Sequence, residues 1–304
     1  VEIRHLQVVA EIVRQGSFTK AAEAMHITQP TISKMVRNLE NELGAEVFAR
    51  DGKQAKLTAA GEAIVRYAEP ILQLFGQLKT EIGDLTYLNS GSIQVGLPPM
   101  AGSHFFPKVI KKFQERYPGI SLRLVEDGAS RIEASVADGA LDVGVVLWPI
   151  DTDTFESFPL VQERLRVIMH PGHRLANRRN VELAELAEES FVLFGSGFAL
   201  HDRIIAECRS VGFEPRIVHE SSQWDFIGQM VAEGLGIAML PDTICKTLGT
   251  EKVSAVPLIN PVIPWELVMA WRREGYQSLA AREWIRFTKE LFAEEQTSTG
   301  MERG

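Results

Sequence analysis

Residues 16 to 61, GSFTKAAEAMHITQPTISKMVRNLENELGAEVFARDGKQAKLTAAG, leave few folds open to this chain. Two amphipathic segments meet there at a tight break, Met25-His26-Ile27-Thr28. The first has an apolar face of Phe18, Ala21, Ala22 and Met25, with Ser17 placed to cap it. Thr28 can cap the second by satisfying backbone donors that a helix start leaves unpaired. Pro30 is tolerated because the first helical turn needs no donor from it. The second helix is expected to bury Ile32, Val36 and Leu39, leaving Gln29, Thr31, Ser33, Lys34 and Arg37 on or near its outer face. Hydroxyls, an amide and two cations on one helix suit a DNA major groove, with donors for phosphates and forked groups for base edges. The pattern is that of a helix-turn-helix.

The flank extends it. Leu43-Gly44 stops the helix, and the stretch from Val47 through Thr58 reads as a two-stranded wing carrying Arg50, Lys53 and Lys56 toward the DNA backbone or minor groove. Gly16-Ser17-Phe18 with Ala21-Ala22, Gln29-Pro30-Thr31-Ile32-Ser33, Leu39-Glu40, Leu43-Gly44, Phe48-Ala49-Arg50, and Leu57-Thr58 with Ala60-Gly61 together resemble the LysR-type transcriptional regulators. The match is dense over the first 90 residues and runs in outline over nearly the whole chain. It implies promoter DNA as partner, a homodimer or homotetramer, a small-molecule effector with no other cofactor, and RNA polymerase as a candidate contact. The expected DNA-contacting residues are Gln29, Ser33, Lys34 and Arg37 for bases or groove, and Thr31, Arg50 and Lys53 for phosphates or the minor groove, with Pro30 at the helix start.

Composition sets wider bounds. A chain of 304 residues can form two or three domains, and its 45% hydrophobic and 24% charged residues are ordinary for globular protein. The net charge of -8 argues against nucleic-acid binding by bulk attraction; from 29 to 56 five cations meet four carboxylates. DNA affinity must then come from where the charges sit. Cys208 and Cys245 make no disulfide framework and read as reduced buried thiols, with a redox role left open. No leader is evident and no apolar run approaches the about 18 residues of a membrane span, so a cytoplasmic protein without a membrane partner is expected.

Residues 59–88 read as a linker helix for dimerisation. Its apolar seam, Ile64, Ala68, Ile71, Phe75, Leu78, Ile82 and Leu85, keeps steps of four and three, which favours pairing with a second chain. Pro70 interrupts its hydrogen bonding, and residues 89–92 read as a hinge.

Beyond the hinge, strand and helix patterns alternate, which means an α/β domain. The expected organisation is a winged helix-turn-helix domain at 1–58, lobe I at 93–160 and 265–294, lobe II at 161–264, and a disordered tail at 295–304. Within lobe II, a strand is expected from Leu165 and a helix over 181–186. Two lobes joined by two crossovers imply a ligand cleft at strand ends and helix starts. The resemblance implies the same, a half like a periplasmic binding protein that senses a small effector. By position, lobe I should offer Pro98, Pro99, Met100, Gly102 and Ser103, then Asp127, Gly128 and Ser130, then Leu147 and Trp148. Lobe II should offer Ser196, Gly197, Phe198 and His201, then Ser221, Ser222, Gln223 and Trp224. Hydroxyls and free helix-start amides suit a small organic anion, above all a carboxylate. Pro98 and Met100 stand where many such regulators carry a hydroxyl, which points to a smaller or less polar effector.

Two other classes compete with this reading. A binding protein whose N-terminal domain serves protein association would share the pattern without the salt-sensitive DNA affinity. An enzyme would need a nucleophile elbow, a phosphate loop or a metal-ligand spacing; none is present, and His170 and His173 lack a Cys or carboxylate partner at such spacing. Neither catalysis nor a metal is expected.

Overall fold

The computed structural model describes residues 1–49, 55–86, 91–249 and 251–301, with side chains for all of these except 77, 79–81, 83–86 and 295–301. The chain forms two compact units, Val1–Gly83 and Asp84–Gly304.

The first unit holds α1 (Ile3–Gln15), α2 (Phe18–Ala24), α3 (Gln29–Leu43) and α4 (Ala59–Thr86). Ser17 and Thr28 cap α2 and α3, accepting from the backbone of Lys20 and Thr31. Gly44 ends α3 in the left-handed region at φ 68°, where any side chain would be strained. Ile32, Val36 and Leu39 pack with Ala21 and Ala22 of α2 and with Val8, Val9 and Ile12 of α1, a helix that the sequence pattern had not delineated. The wing is minimal among the described residues: Phe48 bridges to Leu57, Ala49 N–H donates to the Lys56 carbonyl at 2.8 Å, and Thr58 N–H donates to that of Val47 at 3.0 Å. Arg50 and Lys53 lie outside the described residues.

Thr58 caps α4, its Oγ1 accepting from Gly61 N–H at 3.1 Å. The seam divides. Ile64 packs with Val65 against the helix-turn-helix core, and Ala68 is fully buried, so both are spent within the subunit. Ile71, Leu78 and Ile82 are exposed, joined by Tyr67 and Leu74, which the expected seam left out. Phe75 is half-buried, and the side chain of Leu85 lies outside the described set. Of the expected hinge, Asn89 and Ser90 lie outside the described residues, while Gly91 and Ser92 already belong to the first strand.

The second unit runs β1 (Gly91–Leu97), α5 (Pro99–Arg116), β2 (Ile120–Glu126), α6 (Ala129–Ala137), β3 (Val143–Leu147), β4 (Phe155–Met169), β5 (Val181–Glu182), a 3-10 turn (Leu183–Leu186), β6 (Ser190–Phe194), α7 (Ala199–Ser210), β7 (Arg216–Ser221), α8 (Trp224–Ala232), β8 (Ala238–Pro241), α9 (Asp242–Thr247), β9 (Ser254–Ile259), β10 (Pro264–Arg272) and α10 (Leu279–Met301). In the first lobe the order is β2-β1-β3-β10-β4, with β1 parallel to β2 and β3 and with β10 antiparallel to β3 and β4. Phe106 and Phe113 of α5 pack against Trp284 of α10, which closes this lobe. The second lobe pairs the far end of β4 with β8 and β9, and β6 with β7.

Two expectations for this unit fail. The strand expected from Leu165 begins at Phe155, so β4 passes from one lobe to the other as a single strand. Pro159 is tolerated in it because it sits at a register shift opposite Val268, where a missing N–H leaves no gap in the ladder. The helix expected over 181–186 is instead the short β5 and the 3-10 turn. Of the segment expected as a disordered tail, 295–301 are helical as the end of α10, and 302–304 lie outside the described residues.

Candidate DNA-reading surface and effector cleft

The outer face of α3 carries Gln29, Pro30, Thr31, Lys34 and Arg37 exposed, with Ser33 half-buried. Gln29 Nε2 donates to Ser33 Oγ at 2.9 Å, so amide and hydroxyl sit side by side one turn apart. The hydroxyls of Thr28 and Thr31 lie 2.8 Å apart at the helix start. Lys34 and Arg37 form no ion pair among the described residues, which leaves both cations available to phosphates or bases. Ser33, Arg37 and Asn41 line one side of an open groove of about 700 Å³ whose other side is formed by Glu46, Phe48 and Ala49. Asn41 escaped the sequence reading, although its spacing of four from Arg37 marks the same face. Glu40 had been noted only as part of a motif. Its Oε1 accepts from the backbone N–H of Val47 at 2.8 Å, tying the wing's base to the recognition helix.

In the second unit a cavity of about 50 Å³ lies between the lobes. The expected residues that line it are Pro98, Pro99, Met100 and Leu147 from the first lobe and Phe198, Ser222 and Trp224 from the second. Sequence reading missed Ala129, Phe194, Ala199, Leu200, Trp265 and Leu267. The two alanines open helices whose starts had been placed one position off or more, and the last two come from the crossover strand β10. Ser222 carries the one hydroxyl in the wall among the described residues, beside the indole groups of Trp224 and Trp265.

The other candidates do not reach the cavity. Gly102 lies against Leu97, and Ser103 Oγ donates back to the Met100 carbonyl at 3.3 Å. Ser130, Ser196, Gly197 and Gln223 are exposed outside the wall. Ser221 Oγ accepts from Gln223 N–H at 3.1 Å, and Asp127 Oδ1 accepts from the neighbouring Gly128 N–H at 2.7 Å just before α6. His201 is buried, with Nδ1 2.8 Å from Asp202 Oδ1 and Nε2 facing Glu220 Oε1 at 3.3 Å, and it does not line the cavity.

Two contacts join the lobes beside the cavity. Arg203 Nη1 of α7 donates to the carbonyl of Trp148 at 3.1 Å. Gly128 faces Gly197 so closely that a Cβ on it would lie 2.9 Å from the Gly197 carbonyl oxygen. The cleft is thus shut around a small apolar space.

Both cysteines are buried, and burial first, then neighbouring carboxylates, pushes each thiol up to about 12. Among the described residues no group of His, Cys, Asp or Glu is arranged to hold a metal ion, and no helix is long and apolar enough to cross a membrane.

A helix-turn-helix unit followed by a two-lobed cleft unit defines a DNA-binding regulator with an effector-binding domain. Residues 3–62 match the bacterial regulatory helix-turn-helix protein model of the lysR family, and residues 88–293 match the LysR substrate binding domain. The chain belongs to the LysR family of transcriptional regulators. It is 47% identical over 289 residues to the HTH-type transcriptional regulator YwbI of Bacillus subtilis, covering 95% of this chain and 96% of that one. Its fold is that of a full-length OxyR variant from Pseudomonas aeruginosa, with a TM-score of 0.68 at 24% identity over 96% of this chain and 94% of that one. Full-length CbnR complexed with its target DNA matches with a TM-score of 0.69 at 20% identity, over 95% of this chain and 100% of that one. These relatives are regulators of transcription, not enzymes.

Proposed function

We propose that this protein binds promoter DNA as a homodimer or homotetramer in the cytoplasm and that a small molecule in the inter-lobe cleft alters its action on transcription, with RNA polymerase a further contact. The exposed face of α3 carries the proposal, because Gln29, Ser33, Lys34 and Arg37 stand together on a helix whose opposite face is buried. The apolar residues exposed on α4, Ile71, Leu74, Leu78 and Ile82, support pairing with a second copy. An effector acts only through its difference in affinity for two shapes of the protein, and a cleft shut by contacts between lobes supplies one of them. A small carboxylate remains the expectation from sequence; the cavity wall favours a less polar guest.

Fluorescence anisotropy on the DNA upstream of the protein's own gene, against a shuffled duplex, tests the reading. Binding confined to the native fragment and weakening steeply with salt is expected. Equal affinity for both duplexes, or binding indifferent to salt, would refute it and leave a domain that serves protein association.

A further inference from the structure

We infer that the cleft takes a small uncharged molecule of a few heavy atoms, apolar over most of its surface and carrying one polar group for Ser222. The inference rests on the effector reading above and gives that effector a chemical class. Size comes first. The cavity of about 50 Å³ exceeds the about 10–15 Å³ that a water needs and falls well short of the roughly 150 Å³ that admits benzene.

Polarity and charge point the same way. The wall is mostly carbon from Met100, Leu147, Phe198, Trp224 and Trp265, with the Ser222 hydroxyl and the two indole N–H groups as its side-chain hydrogen-bonding atoms and no charged side chain among the described residues. Pro98 and Pro99 remove two N–H donors from the start of α5, where an anion would otherwise be held. The other helix starts carry their own carboxylates: Asp127 before α6, Asp202 in the first turn of α7 and Asp225 in that of α8. Their negative charges lie beside the positive helix ends and repel an arriving anion. The two nearby guanidinium groups are engaged, Arg131 with Asp127 and Arg203 with the Trp148 carbonyl. An anion in such a wall would be desolvated without a counter-charge, whereas a neutral molecule of the same shape would not.

Acetone and acetate make the matched probes, since they share planar shape and size and differ in a methyl for a charged oxygen. Saturation-transfer NMR on the full-length protein at neutral pH, where acetate is ionised, would compare them at equal concentration. Saturable transfer to acetone is expected, with acetate weaker by about tenfold or more, roughly the penalty for an unpaired charge at a partly hydrated site. Ala199→Trp should fill the cavity and abolish transfer to acetone; Ala129→Leu does so with less added volume should the first variant fail to fold. Acetate binding as tightly as acetone, no binding of either, or transfer that survives both variants would overturn the inference. Anisotropy on promoter DNA with the same samples keeps the two readings separate: lost DNA binding beside intact acetone binding refutes only the proposed function, and the converse refutes only the ligand class.

Discussion

Glu40 Oε1 accepts from the backbone N–H of Val47 at 2.8 Å and lies 3.4 Å from that of Phe48. One carboxylate on the recognition helix thereby satisfies the backbone at the base of the wing, adding a polar tie to the packing of Val47 and Phe48 against Ile32, Val36 and Leu39. Glu40→Ala leaves a partly buried donor unpaired and should cost about 1–3 kcal/mol of stability. Thermal unfolding of the variant and its DNA affinity should fall together, while binding in the cleft is unchanged. A variant with wild-type DNA affinity would show that the wing is placed by other contacts.

Arg37 and Lys34 differ from Gln29 in what their loss should do. Replacing either cation with Ala should weaken binding to all duplexes alike and lower the slope of log affinity against log salt by about 1 if it neutralises a phosphate. Gln29→Ala should instead narrow the gap between operator and shuffled DNA by about 1–3 kcal/mol, the usual worth of a base-edge contact. A salt titration of the three variants separates the roles.

Along α4 the same type of substitution should have opposite consequences at two positions. Leu78→Glu places a charge on an exposed apolar stripe, so the subunit should stay folded but sediment as a smaller species. Ile64→Glu puts one against the helix-turn-helix core and should melt that unit whatever the oligomeric state. Sedimentation and circular dichroism together decide; an unaltered assembly in Leu78→Glu would place the subunit contact elsewhere.

Neither cysteine should react in the native protein. With both thiols pushed up to about 12, the thiolate is scarce at neutral pH. Iodoacetamide and hydrogen peroxide should leave the folded protein unmodified by mass spectrometry, and denaturation should release both sites. Native labelling would reopen a redox role.

Acid should weaken the second lobe. Burial raises the carboxyls of Glu189 and Asp242, but His173 and Arg174 for the first, and Arg166 and Lys246 for the second, outweigh it and hold both below their ordinary values. Groups depressed on folding contribute stability that is complete above the ordinary carboxylate range, around 4, and disappears as pH falls through the lowered values. Asp242→Asn should lower stability near neutrality by on the order of 1 kcal/mol and flatten the acid limb of a melting-temperature profile. An acid limb identical to that of the wild type would place the sensitivity elsewhere.

The helix-turn-helix was legible because its signals are local: a capping hydroxyl, a proline at the first turn and a glycine stop each fix a backbone feature within a few residues. The cleft was legible only at the ends of recognisable strands. Ala129 and Ala199 carry no chemistry that marks them, and Trp265 and Leu267 reach the cavity only because β10 crosses between lobes, a pairing fixed by residues about a hundred positions away. Heptad spacing marked Ile64 and Ala68 as seam, yet spacing alone does not say whether the surface a helix meets belongs to its own subunit or to another. His201 is misread for the same reason, since Glu220, which faces its outer nitrogen, arrives from β7.

Gly128 has an ordinary backbone, φ -62° and ψ 146°, which any residue adopts, so nothing in its own conformation demands glycine. What demands it is the carbonyl of Gly197, 2.9 Å from where a methyl would stand. An alanine at 128 would therefore act as a doorstop. It would spare the fold of each lobe and penalise only the shut arrangement, so that one added carbon would prop the lobes apart and deprive a guest of the wall that is to enclose it.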